Sequence, residues 1–190
     1  MKLYLMRHGE SESNVRDLFS GCRGDVKLTD RGIEQARALG EKLRGIKFDK
    51  VFASSLVRAQ MTCEAALPGC EYVVDDRIRE VDLGGLDGLS ADAARALWPD
   101  FSERFHYPGD YSAIGGESRE EAFARLRSFL SDLEGEDLET VAVFTHAVTM
   151  RMLFNMVFDT CSSGKLLSTN CLIAVFKLEG GKLTLDAWNI

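Results

Sequence analysis

The sequence predicts an α/β fold of three layers, α/β/α, with a mostly parallel mixed sheet and an antiparallel hairpin at its C-terminal edge. Three observations lead there. A short apolar run that turns polar and then helical occurs three times, at Leu3 to Asn14, at Asp49 to Ala66 and at Thr140 to Val157, the rhythm of strand, turn and helix that builds parallel sheets. The last of these runs, Thr140-Val141-Ala142-Val143-Phe144, is apolar throughout, as suits a strand buried on both faces. Finally, Leu172 to Leu178 and Lys182 to Trp188 flank Glu179-Gly180-Gly181, a hairpin signal that adds antiparallel strands.

In chain order, Leu3-Tyr4-Leu5-Met6 reads as a buried strand delivering Arg7 and His8 to its carboxyl end, the end at which open α/β sheets bind ligands. Taken alone, the pair could equally be a solvated arginine and a turn histidine. Thr29 is placed to cap a helix with Ile33, Ala36, Leu39 and Leu43 on one face, ended by Gly45. Asp49 to Ala53 is a second strand, followed by a helix from Leu56 to about Ala66 with Ser55 as its N-cap. Arg58 then starts from the first turn of that helix, where the macrodipole favours anions over cations; a bound anion would explain it.

Glu71 to Val74 reads as a short strand, and Asp75 to Gly88 as a glycine-punctuated loop rich in carboxylates. In an extended segment Glu80 and Asp82 would point one way and Val81 into the protein. Ser90 caps a short helix to Leu97. The stretch from Trp98 to Gly116 carries Phe101, Phe105, His106, Tyr107 and Tyr111, and reads as either a hydrophobic plug or a substrate-facing lid. Ser118 and Glu121 form a capping box opening an amphipathic helix whose apolar face is Ala122, Leu126, Phe129, Leu130 and Leu133. His146, between a strand and a helix, repeats the geometry of His8.

The length suits one domain spanning residues 1–190, with no repeat or linker. A net charge of −7 argues against nucleic-acid or anionic-membrane partners, which call for a basic face. The five cysteines show neither Cys-x-x-Cys nor zinc spacing, and fit thiols in a reducing compartment. The four-residue apolar run before Arg7 is too short for a signal-peptide core, and no segment has the length of a membrane span. A cytoplasmic location is the expectation, and the terminal edge strand offers a route to a homodimer.

Arg7, His8, Arg58 and His146 thus stand at three strand ends. If these share an edge, two arginines and two histidines make an anion pocket, and arginine's planar fork suits phosphate oxygens. A neutral histidine can act as nucleophile on a phosphate monoester, and a nearby carboxyl group can protonate the leaving alcohol.

Arg7-His8-Gly9-Glu10 with Asn14, Ser54-Ser55-Leu56-Val57-Arg58-Ala59 with Thr62 and Glu64, Glu80 with Leu83-Gly84 and Gly88, Gly115-Gly116-Glu117-Ser118, and Thr145-His146-Ala147 form an ordered series across residues 3–151. It resembles the histidine phosphatase superfamily, in its phosphoglycerate-mutase-like branch. The resemblance implies a metal-independent phosphomonoesterase without a cofactor, acting on a small phosphorylated metabolite. It implies that His8 becomes phosphorylated, that Arg7, Arg58 and His146 hold the phosphoryl group, that Asn14 is a secondary phosphate ligand, and that Glu80 is the general acid and base, with Asp82 next in line. Two departures, Ala147 for the commoner glycine and Leu86-Asp87 for the frequent Trp-Glu, blur the subfamily. The compact segment between Glu80 and His146 favours a phosphatase, similar to α-ribazole phosphatases or broad-specificity sugar-phosphate phosphatases. The alternatives are a 2,3-bisphosphoglycerate-dependent phosphoglycerate mutase and, from another class, a silent phospholigand-binding module, against which the presence of both His8 and Glu80 argues.

Overall fold

The computed structural model describes residues 1–106, 108–160 and 168–190. Tyr107 of the aromatic stretch and Cys161 lie outside the described residues. The chain runs β1 (Lys2–Arg7), α1 (Glu12–Val15), α2 (Asp30–Lys42), β2 (Lys50–Ser54), α3 (Val57–Ala66), β3 (Val73–Asp75), α4 (Ala91–Leu97), α5 (Arg119–Glu134), β4 (Thr140–Thr145), α6 (Ala147–Phe158), β5 (Ile173–Glu179) and β6 (Lys182–Trp188). The strands form one sheet in the order β3-β2-β4-β1-β5-β6. β3, β2, β4 and β1 are mutually parallel, and β5 and β6 add the expected antiparallel edge.

Because strand side chains alternate between faces, each central strand feeds two cores. Leu3, Leu5, Phe52, Val141 and Val143 pack with α5, α6 and the long loop after β3. Met6, Val51, Ala53, Ala142 and Phe144 pack with Leu39 and Leu43, at and just beyond the end of α2, and with Cys63 and Ala66 of α3. Helices therefore cover both faces, and the three layers read from the sequence are present. The apolar face expected for α5 is the set of side chains it buries, and Ser118 with Glu121 closes the capping box.

The elements depart from expectation in detail. α2 ends at Lys42 with Leu43 as its C-cap, still in the helical region, and Gly45 follows at a φ of +85° to turn the chain away. Leu56, not Ser55, occupies the N-cap of α3 and contributes no side-chain bond. Ser55 instead donates to Asp76 at 2.6 Å, and the Asp25 carboxylate accepts from the Val57 N–H at 2.8 Å. An anion does sit at this helix end, but it belongs to the protein.

The aromatic stretch is a plug. Phe101, Phe105 and Tyr111 are at most 5% exposed and belong to the core under α5 and α6, with Trp98 packed against them. Their apolar area is gained by burial in that core, where Phe101 packs on Phe19 and Phe105 on Trp98, and rings exposed on a lid would forgo it.

Candidate active site

Parallel pairing builds the site. β1 and β4 lie in register with Arg7 opposite Thr145, so the next residues of the two strands, His8 and His146, emerge side by side. Their ring centroids are 5.3 Å apart with the planes inclined by 54°, and the His8 N–H donates to the Thr145 carbonyl at 3.0 Å. β2 flanks β4 on its other side. It delivers Ser54 beside His146 and, in the first turn of α3, Arg58. β3 leads through a 3-10 turn (Asp76–Ile78) to Arg79 and Glu80.

His8 is 5% exposed, and its Nδ1 lies 2.7 Å from the Gly9 carbonyl. A carbonyl only accepts, so Nδ1 carries the proton and Nε2 keeps its lone pair. Burial, reinforced by the Arg7 and Arg58 charges, holds the ring well below its ordinary pKa and therefore neutral. His146 is fully buried and likewise held neutral, by burial and then by Arg58, His8 and Arg7. Its Nε2 is 2.7 Å from Ser54 Oγ. That hydroxyl also accepts from the Leu56 N–H at 3.2 Å and has one proton to give; donated to Nε2, it leaves the His146 proton on Nδ1, a buried nitrogen with no hydrogen-bond partner among the described residues.

Arg58 is the largest fully buried side chain. Its terminal nitrogens donate to the carbonyls of Gly24 (3.1 Å), Gly21 (3.0 Å) and Ser20 (3.4 Å), which fixes the fork while Nε has no acceptor. Arg7 donates to the Ser168 carbonyl, and its Nε is also buried without an acceptor. Buried donors of this kind cost free energy unless they are satisfied, and Arg7, Arg58 and His146 each present one. Burial lowers both arginine pKa values below their ordinary range, and the charge that most opposes this in each case is Glu80. The carboxylate therefore shares one electrostatic neighbourhood with both guanidiniums.

Glu80 is 4% exposed and sits against the start of α6. Its Oε1 accepts from the N–H groups of Val81 and Thr149 (3.0 Å each) and from the Thr149 hydroxyl (3.1 Å), and its Oε2 accepts from the Val148 N–H (3.0 Å). Val81 points into the core as expected. Asp82, by contrast, forms an ion pair with Arg23 at 2.8 Å and accepts from the Gly84 N–H.

Asn14 is brought in indirectly. Its Oδ1 accepts from the Ser11 N–H (3.1 Å) and from Asn170 Nδ2 (3.1 Å), and Asn170 also donates to the His8 carbonyl at 3.2 Å. Sequence reasoning missed Asn170, which no local pattern marks, and Ser54 as the partner of His146, for which its place at the end of β2 was an available signal. Thr62, noted only as part of a motif, accepts from the Gly9 N–H at 3.0 Å and donates to the Arg58 carbonyl at 2.7 Å. Glu117 of the Gly-Gly-Glu-Ser motif is buried between Arg125 (2.7 Å) and Arg79 (3.3 Å), and its N–H donates to the Asp82 carbonyl. It thus pins the loop that carries Glu80. Among the described residues no three His, Cys, Asp or Glu side chains are grouped to hold a metal ion, and no helix is long and apolar enough to cross a membrane.

A doubly covered, largely parallel sheet with a cationic cluster and one carboxylate at its carboxyl edge defines an α/β enzyme with an anion-binding centre. More specifically, the chain belongs to the histidine phosphatase superfamily (branch 1), whose family model matches residues 3–190, and it is an enzyme of the histidine phosphatase type. Among curated proteins it is 38% identical over 178 residues to a 2,3-bisphosphoglycerate-dependent phosphoglycerate mutase of Brucella ovis, covering 87% of this chain and 84% of the mutase. A Brucella melitensis mutase is 40% identical over 164 residues, covering 80% and 78%. Among solved structures, a mycobacterial glucosyl-3-phosphoglycerate phosphatase in complex with VO3 superimposes with a TM-score of 0.85 at 26% identity, covering 99% of this chain and 98% of that one. Bacillus stearothermophilus YhfR gives a TM-score of 0.85 at 28% identity over 97% and 94%.

Proposed function

We propose that the protein hydrolyses a small phosphomonoester through a phosphohistidine on His8. The phosphoryl oxygens take the free donors of Arg7, Arg58 and His146, which places phosphorus in front of His8 Nε2. The Nε2 lone pair forms the P–N bond as the P–O bond to the leaving group breaks, and Glu80 supplies the proton that the leaving oxygen acquires. Water then attacks phosphorus, Glu80 takes its proton, and the P–N bond breaks to return neutral His8 and free phosphate. No metal enters this scheme: the fixed cations and His146 meet the charge that develops on the phosphoryl oxygens. Asn14 acts through Asn170, which steadies the His8 backbone.

The observation that favours hydrolysis is the packing of the stretch between Glu80 and His146. With Phe101, Phe105 and Tyr111 committed to the core, these rings are not available to fold over the phosphohistidine and keep water from it. One observation favours the second reading, a 2,3-bisphosphoglycerate-dependent phosphoglycerate mutase: the 38% identity to the Brucella ovis protein. The compact Glu80–His146 connection does not decide against it, since that mutase is matched over 84% of its own length. Incubation with p-nitrophenyl phosphate and, separately, with 3-phosphoglycerate plus 2,3-bisphosphoglycerate separates the two. Phosphate release from the first without formation of 2-phosphoglycerate from the second is expected. Conversion to 2-phosphoglycerate exceeding phosphate release would establish the mutase.

A further inference from the structure

Among the described residues, four arginines have a buried Nε without an acceptor: Arg7, Arg58, Arg119 and Arg151. The first two belong to the cluster described above, and Arg119 lies over the Phe123 ring at 4.8 Å. Arg151 is left, on the second turn of α6, with no carboxylate within ion-pair distance among the described residues. Among the described residues its guanidinium is held by neutral groups, donating to His106 Nε2 at 3.0 Å and to the Tyr111 hydroxyl at 3.3 Å. Burial and the Arg151 charge push His106 down to about 4, so the ring stays neutral and accepts this bond. Tyr111 is fully buried. The arginine is therefore fixed in position and its charge uncompensated.

Its place in the fold gives that charge a use. A helical side chain leans over the turn that precedes its own Cα, and the turn before Arg151 carries the Val148 and Thr149 N–H groups that hold Glu80. Tyr111 feels both Arg151 and Glu80. On the other side, the His106 ring lies 6.3 Å from Phe19, the residue before the Ser20 and Gly21 carbonyls that anchor Arg58. One wall thus runs from the Arg58 loop through Phe19 and His106 to Arg151, on the helix whose first turn holds Glu80. A leaving group that Glu80 protonates must lie against this helix end.

We infer that Arg151 binds a second anionic group, a carboxylate or further phosphate, on the leaving-group half of the substrate, with His106 and Tyr111 as the residues that hold it in position. The inference rests on the phosphomonoester reading above and narrows its substrate class. A partly buried cation that has lost water without gaining a counter-charge recovers that cost when an anion arrives, which makes it a selector for doubly anionic esters.

The test uses 3-phosphoglycerate and glycerol 3-phosphate, which share a phosphomonoester on three carbons and differ in a carboxylate against a hydroxymethyl group. Binding is measured by calorimetry in a His8→Ala background, so that turnover does not intervene. With Arg151 in place, 3-phosphoglycerate binds about tenfold or more tightly than glycerol 3-phosphate, the scale of one charge-assisted contact. Arg151→Ala brings the ratio to within about twofold, and Arg151→Lys leaves it intermediate, as expected for loss and partial retention of that charge. A clamp that merely fastened the aromatic plug would weaken both ligands alike. Should Arg151→Ala melt far below the parent, Arg151→Gln carries the same comparison. A ratio near one with Arg151 present, a ratio that survives its removal, or no measurable binding of 3-phosphoglycerate overturns the inference. Turnover of p-nitrophenyl phosphate by the unaltered enzyme tests the underlying reaction separately, so loss of either idea is visible without the other.

Discussion

Glu80 shows how much a single side chain depends on its surroundings. Its two oxygens receive three backbone N–H groups and one hydroxyl, so it is fixed by the first turn of α6, which begins one residue past His146, and Glu80 and the second histidine are positioned by the same helix end. Replacing Glu80 with Gln removes the transferable proton while keeping one acceptor oxygen. The expected outcome is a kcat loss of about 10²–10⁴ on alkyl phosphates, the usual scale for a lost general acid, with a much smaller loss on p-nitrophenyl phosphate, whose leaving group needs no proton. Steady-state rates on both esters check this, and equal losses would place the acid elsewhere. At this scale the sequence revealed His8, Arg58, His146 and Glu80 because each follows a strand or sits in a motif. It concealed Ser54 as a partner, Asn170 and the role of Arg151, because hydrogen bonds between distant segments leave no local periodicity. Arg58 stands in the cluster, but not as its helix position suggested: its fork is held by the loop carbonyls of Ser20, Gly21 and Gly24, while an internal carboxylate, Asp25, occupies the helix end.

Among the elements, the contact between α2 and the loop after β1 sets where His8 stands. A Cβ on Gly32 would lie 2.0 Å from the Glu10 carbonyl oxygen, and one on Gly9 would lie 2.5 Å from the Gly32 carbonyl oxygen. The two backbones touch, and only glycine permits it. Gly32→Ala should displace α2, cost about 1–3 kcal/mol as overpacking does, and lower kcat through the shifted His8 loop. Gly135→Ala, where the new methyl group meets nothing closer than 3.4 Å, should be nearly silent in both. Denaturant unfolding and initial rates on the two variants decide it, and an unaffected Gly32→Ala enzyme would refute the packing argument. Strands and long helices were readable here because periodicity and capping residues encode them locally. The cap of α3 was not, since Ser55 is claimed by Asp76.

Over the whole molecule, three neutral histidines link acidity to stability. His8 and His146 are held below their ordinary value by burial and neighbouring arginines, and His106 is held at about 4 by burial and Arg151. A histidine depressed in the fold leaves stability intact above its unfolded pKa of about 6.5 and removes it as pH falls, because the unfolded chain takes up the proton first. For His106 alone the loss between about pH 6.5 and 4 amounts to about 3 kcal/mol, and the other two act in the same direction. Urea midpoints should therefore drop between pH 7.5 and 5, and His106→Gln should flatten part of that slope. A midpoint that rises on acidification would contradict this. The order of strands in the sheet lay beyond sequence reasoning, but three strand ends sharing an edge was a consequence of parallel pairing that the repeated strand-turn-helix rhythm already implied. Whether the aromatic stretch covers or fills was undecidable in the sequence, because plug and lid have the same composition and differ only in what they pack against.

The account turns on His8 Nε2 as the atom that takes the phosphoryl group. Rapid quenching of the enzyme with a 32P-labelled phosphomonoester, followed by peptide mapping, tests this directly. The label should appear on the peptide containing His8, survive alkali, be lost in acid, and be absent together with turnover in His8→Ala. Label on another residue, or undiminished turnover by His8→Ala, would contradict it.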